Sequence, residues 1–186
     1  SADTNRWDAT LSKSYPAELL PETIISENIH FRMGDKTDEA LNAVSCTGQT
    51  IQLPNGKYKN LYLLGASLKD KKADFILDGK KITVGFQPWT GTIGQFYNRL
   101  LSRDKNTVEQ MEEPFVKMDN IAWFASHCHN AYPMKNLAYQ YCYLYKYEIP
   151  IPEGAKTITL PIDKDIYLFA MTAATTSADA VTPLQA

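Results

Sequence analysis

The stretch Tyr139–Ile149 reads Tyr-Gln-Tyr-Cys-Tyr-Leu-Tyr-Lys-Tyr-Glu-Ile, with a tyrosine at every odd position through Tyr147. Side chains on a strand alternate between its two faces. The spacing therefore predicts a β-strand with the tyrosines and Ile149 on one side and Gln140, Cys142, Leu144, Lys146 and Glu148 on the other. On a helix the same rings would be scattered round the circumference. Pro150 and Pro152 end the ladder because proline has no N–H to donate, and Glu153-Gly154 supplies a turn. The second face is apolar only around Cys142 and Leu144, whereas the tyrosine face is a continuous aromatic wall that needs another layer to cover it. The expected architecture is all-β: an antiparallel two-sheet β-sandwich.

Other segments fit that expectation. Glu22–Phe31 and Asn42–Leu53 read as strands separated by a polar loop, Gly34–Glu39, and Leu61–Leu64 reads as a buried strand after the turn at Pro54-Asn55-Gly56-Lys57. Ala73–Leu77, the Asp78-Gly79 turn and Lys81–Gln87 make the best hairpin in the sequence. Ile121–His129 is a further strand joined to the tyrosine strand by Ala131–Leu137, and Lys156–Leu160 and Ile166–Thr172 complete the set. From Pro88 to Met118 the pattern is irregular, with a short helix expected around Ser102–Met111; long loops on a β scaffold are where ligand contacts concentrate. Such long connections favour a Greek-key or jelly-roll sandwich over an up-and-down barrel. The expected organisation is a loose lead-in over 1–14, one domain over 15–174 and a frayed tail over 175–186.

A chain of 186 residues holds one good core, and its formal charge of −2, with no lysine–arginine stripe, speaks against nucleic acid or an anionic membrane as the main partner. No apolar run approaches the ~20 residues that span a bilayer. The chain starts at Ser1, so it is expected to be a processed product or an excised domain whose targeting signal lies elsewhere. Cys46, Cys128 and Cys142 lack metal-type spacing and are expected to be buried small hydrophobes, with Cys128–Cys142 the one bridge to test.

Few residues suggest chemistry. His127 and His129, two apart on a strand, share a face and suit either a polar ligand or plain backbone hydrogen bonds. A zinc site needs a third ligand, and only His30 or Asp119 offered one, so no metal is assigned. Trp89 stands in Gln87-Pro88-Trp89-Thr90-Gly91-Thr92-Ile93-Gly94-Gln95, where it suits stacking on a sugar ring as well as it suits a core; Trp123, in an apolar run, suits a core better. Gln95, Arg99 and Asn130 complete the candidate glycan contacts, Arg99 as a guanidinium fork for hydroxyls. The carboxyls Asp8, Glu18, Glu22, Asp119, Glu148 and Asp165 are scattered and read as solvated or capping groups. No phosphate loop, serine elbow or cysteine–histidine arrangement appears.

Four segments in order, Tyr15–Pro21, Leu61–Ser67 with Phe75–Gly79, Gln87–Arg99, and Ala122–His129 leading into Tyr139–Leu160, resemble the C-terminal β-sandwich region of bacterial glycoside hydrolases of the family 38 α-mannosidase type. They also look like the galactose-binding-like sandwich of carbohydrate-active enzymes. The resemblance implies a non-catalytic accessory domain, without cofactor of its own, whose partners are the catalytic domain of the same parent chain and neutral glycans such as mannosides. The divalent metal and catalytic acids of that family belong to a separate barrel that nothing here matches, and a structural calcium in the sandwich stays open. A free-standing carbohydrate-binding module and a purely structural docking domain are the alternatives, and a periplasmic or secreted location goes with the family. The resemblance departs at Cys128, which stands where a basic residue is expected between the histidines.

Overall fold

The computed structural model describes residues 13–37, 40–91, 93–95, 98–101, 108–112, 115–116, 120–131 and 134–175. Its strands are β1 (Lys13–Ser14), β2 (Thr23–Ser26), β3 (Ile29–Arg32), β4 (Val44–Thr47), β5 (Thr50–Gln52), β6 (Asn60–Ser67), β7 (Lys71–Leu77), β8 (Lys80–Phe86), β9 (Gly94–Gln95), β10 (Asn98–Leu101), β11 (Val108–Glu112), β12 (Phe115–Val116), β13 (Ile121–Ala131), β14 (Met134–Pro150), β15 (Thr157–Thr159) and β16 (Ile162–Ala174). A single 3₁₀ turn, Ala17–Leu19, is the only helical element among the described residues, and none is long and apolar enough to cross a membrane. Two sheets carry the fold: a six-stranded one in the order β1-β13-β14-β6-β16-β4 and a four-stranded one in the order β5-β15-β7-β8, with all ladders antiparallel.

The tyrosine strand, β14, lies inside the larger sheet, paired with β13 on one side and β6 on the other. On its tyrosine face the smaller sheet closes over Tyr145 and Tyr147: Phe86 of β8 meets Tyr147 with ring centroids 4.4 Å apart and stacks on Phe75 of β7. Gly65 of β6 permits the close approach of β16 beside it. A Cβ there would stand 2.7 Å from the Tyr167 carbonyl and 3.4 Å from the Phe86 ring. Ala73, Phe75 and Leu77 point inward while Lys72 is exposed, the alternation expected of a sheet wet on one side. Lys71 pins this sheet to the larger one through 2.7 Å contacts with Asp163 and Asp165.

The opposite face of β14 is also covered, further than the sequence suggests: Leu144 is buried, and so is Lys146, whose ammonium pairs with Glu27 in the β2–β3 turn and lies 5.8 Å from the centre of the Tyr62 ring. That cover consists of the β2–β3 hairpin and the segment Tyr15–Leu20. Tyr15 sets its ring edge-on to Trp89, Trp123 and Phe169 and donates its hydroxyl to the Tyr143 carbonyl at 2.6 Å. Burial, then the neighbouring Cys142, Tyr145 and Tyr147, push that phenol well above its ordinary pKa, so it remains a donor.

Several element assignments are corrected. Glu22–Phe31 is a hairpin rather than one strand, because Glu27 and Asn28 both take positive φ (50° and 65°), as a two-residue turn between right-twisted strands requires. Asn42–Leu53 is two strands in different sheets, and Gly48, at φ 85°, makes the corner between them. The helix expected at Ser102–Met111 is contradicted at its end: Val108–Met111 belongs to β11, which pairs with β10, while 102–107 lie outside the described residues. The connection Ala131–Leu137 is mostly strand, since β14 starts at Met134. The lead-in expected over 1–14 already pairs at Lys13–Ser14; 1–12 lie outside the described residues, as do 176–186 of the tail.

Candidate functional site

The tyrosine row does not stay buried along its length. Ala125 pairs with Cys142 and His127 with Ala138, so three residues of β14, Tyr139–Tyr141, oppose the single Ser126 of β13. This is a bulge, and Tyr139 at its start takes a left-handed backbone (φ 62°), which costs a non-glycine residue roughly 1–2 kcal/mol. Strain of that kind is kept where the surroundings or a function require it. Past the bulge the burial of the rings ends: Tyr139 is 86% and Tyr141 40% exposed, with Phe124 of β13 beside them at 60%.

Those rings border a cleft of about 750 Å³ whose described lining is Thr90, Gly91, Ile93, Ile121, Phe124, Tyr139, Gln140, Tyr141 and Tyr143. No lining side chain among them is charged. The polar groups are amide and hydroxyls: Gln140, Thr90, whose own hydroxyl donates to the Tyr141 carbonyl at 2.7 Å, and the phenols. Burial raises the Tyr143 phenol above its ordinary pKa, so it too stays neutral.

A second cluster lies along the same hairpin. His127 and His129 share a face of β13 with rings stacked 5.5 Å apart, and the 3₁₀ turn swings Glu18 over them. One carboxylate oxygen, Oε1, lies 3.2 Å from His127 Nε2 and 2.9 Å from His129 Nε2. Partial burial acts to raise the Glu18 pKa, but its backbone amide and the two imidazoles outweigh that and hold it below the ordinary glutamate value.

A family model described as the AziU2-like beta-sandwich domain matches residues 1–177. The chain belongs to that family. None of the curated proteins matches it. The match supports the β-sandwich and leaves kinship with α-mannosidases to the motifs alone.

In this AziU2-like sandwich the candidate glycan contacts whose side chains are described fall in different places. Trp89, read as a candidate stacking surface, is 1% exposed and belongs to the core. Its backbone explains why: where β14 and β6 diverge beyond Tyr145, the segment Pro88–Thr90 fills the gap, with Trp89 N donating to the Ser67 carbonyl (2.9 Å) and Tyr143 N donating to the Trp89 carbonyl (2.7 Å). Gln95 and Arg99 lie in β9 and β10, but their side chains lie outside what is described. His127 and His129 come together as the i, i+2 spacing requires; Asn130, one residue on, alternates to the other face. Of the third groups considered for the histidines, His30 lies on the β2–β3 hairpin and Asp119 outside the described residues. The group that arrives is Glu18, read as a scattered carboxyl. Its 109-residue separation from His127 leaves no local signal. The cleft aromatics Tyr139, Tyr141 and Phe124 carry no signal in the sequence beyond their places in two strands, because the bulge that exposes them is set by the pairing of β13 with β14. Cys46, Cys128 and Cys142 are buried thiols outside any disulfide, and burial pushes the Cys46 and Cys142 thiols up to about 12.

Proposed function

We propose that the domain is a non-catalytic binding module that holds a neutral, ring-bearing ligand of the saccharide class in the cleft between Phe124 and Tyr139. The observation that carries this reading is three exposed aromatic rings grouped with an amide and hydroxyls in an uncharged cleft. Flat rings take the C–H face of a sugar, and neutral donors and acceptors suit its hydroxyls. The described lining also lacks the facing carboxyl pair that glycoside cleavage uses, which supports binding over turnover. The order of the four motifs supports the finer reading, in which the sandwich is the accessory part of an α-mannosidase-type enzyme, its neighbour the catalytic domain, its ligand a mannoside and its location periplasmic or secreted.

A glycan array followed by calorimetric titration decides between these. A neutral glycan binds the wild type, and Tyr139→Ala and Phe124→Ala each weaken it about tenfold, the worth of one ring contact of ~1–1.5 kcal/mol. Trp89→Ala is no test of the site, because it opens the core. A module without the mannosidase link binds other glycans and ignores mannosides. Absence of binding to any neutral glycan, or binding indifferent to both variants, contradicts the proposal.

A further inference from the structure

Glu18, His127 and His129 offer three ligand atoms that all lie within 4.8 Å of one another. We infer that this trio binds a first-row divalent transition ion of the zinc type, through Glu18 Oε1, His127 Nε2 and His129 Nε2, with a further position open to a small exogenous ligand. The site lies outside the cleft and stands without the saccharide reading.

The distances favour it. A tetrahedral ion with bonds of about 2.0–2.1 Å separates neighbouring ligand atoms by roughly 3.4 Å. The two Nε2–Oε1 separations, 3.2 and 2.9 Å, need only small rotations to reach that value. The frame is already built. Both histidines are on β13, which is held by β14 along one edge and by β1 at His129 along the other. Glu18 follows Tyr15, anchored to the Tyr143 carbonyl, through a turn closed by Leu19 N donating to the Pro16 carbonyl at 3.0 Å. An ion therefore meets ligands whose ordering has been supplied by the fold.

Two further observations point the same way. Ser14 stands directly across from His129 in the β1–β13 ladder, on the same face, and its buried Oγ has no hydrogen-bond partner among the described residues. It is a spare oxygen beside the trio. The donor set also has a type: two nitrogen donors beside one carboxylate oxygen suit zinc better than calcium or magnesium, which prefer oxygen.

The test uses the whole 186-residue chain, stripped with a chelator, then titrated with Zn²⁺ by calorimetry and with Co²⁺ by visible absorption. One ion should bind per chain, with tetrahedral cobalt bands and no sulfur-to-cobalt charge-transfer band. Glu18→Gln and His129→Ala should each weaken binding at least about tenfold. His30→Ala, which removes the third and last histidine of the chain, should leave binding unchanged. Zn²⁺ should raise the unfolding temperature of the wild type and not that of Glu18→Gln. Failure to bind, binding that survives Glu18→Gln and His129→Ala, or a thiolate band would overturn the inference. Should His129→Ala not fold, Glu18→Gln, a change on a half-exposed side chain, decides alone.

Discussion

Lys146 and Glu27 form an unequal ion pair: the lysine side chain is 3% exposed and the glutamate side chain 30%. Removing each partner therefore has different consequences. Glu27→Gln leaves an ammonium in the interior with its charge unmatched and is expected to cost on the order of 2–3 kcal/mol, whereas Lys146→Met leaves a carboxylate that can turn to water and is expected to cost under about 1 kcal/mol. Denaturant titration of the two variants checks the order. Tyr139 offers a second contrast. Glycine accepts its left-handed backbone and alanine does not, so Tyr139→Gly should be more stable than Tyr139→Ala by about 1 kcal/mol in the same assay, while both lose the ring. At this scale the sequence is least informative. The spacing of His127 and His129 announced a shared face because the period of a strand is fixed, but Trp89 and Glu18 took their roles from partners far along the chain. Proline and two glycines around Trp89 suggested an exposed loop, yet that segment is the wedge between two diverging strands.

Hairpins were legible where the turn carries its own chemistry. Asp78-Gly79 has positive φ at both residues and joins β7 to β8 as the dipeptide predicts, whereas the β2–β3 turn uses Glu27-Asn28, with no glycine to mark it. Asp78 does a second task. Its carboxylate accepts from the Thr157 hydroxyl and from the Lys156 and Thr157 amides, and these bonds, the hydroxyl first, hold its pKa below the ordinary aspartate value. Asp163 is lowered too: burial opposes this, but the bond from Lys71 outweighs it. A carboxyl whose folded pKa is depressed takes up protons more readily in the unfolded chain. The stability that these two supply is thus complete above the ordinary aspartate range, about 3.9, and is lost as pH falls through their lower folded values. Thermal unfolding followed from neutral pH downward should show a flat region and then a fall beginning near pH 4, and Asp78→Asn should make the fall shallower. A midpoint indifferent to pH down to about 2 would contradict this. The bulge in β14 was not legible, because it is set by the register of β13 rather than by β14 itself.

For the molecule as a whole, one strand serves two surfaces. Alternating tyrosines foretold a ribbon with a second layer, and the AziU2-like β-sandwich assignment agrees with that architecture. They did not foretell that Lys146, on the other side, would be buried too, since burial there depends on a hairpin more than a hundred residues earlier. The smaller sheet covers Tyr145 and Tyr147, the wedge at Trp89 supports Tyr143, and beyond the bulge Tyr139 and Tyr141 are left to the cleft. The partition of a single tyrosine row into core and binding surface is the central claim, and hydroxyl-radical footprinting with residue-level mass spectrometry tests it most directly. Tyr139, Tyr141 and Phe124 should oxidise readily while Tyr143, Tyr145 and Tyr147 are protected in the folded protein and react only after unfolding. Equal oxidation of all five tyrosines under native conditions, or protection of Tyr139 and Tyr141 together with the rest, would contradict it.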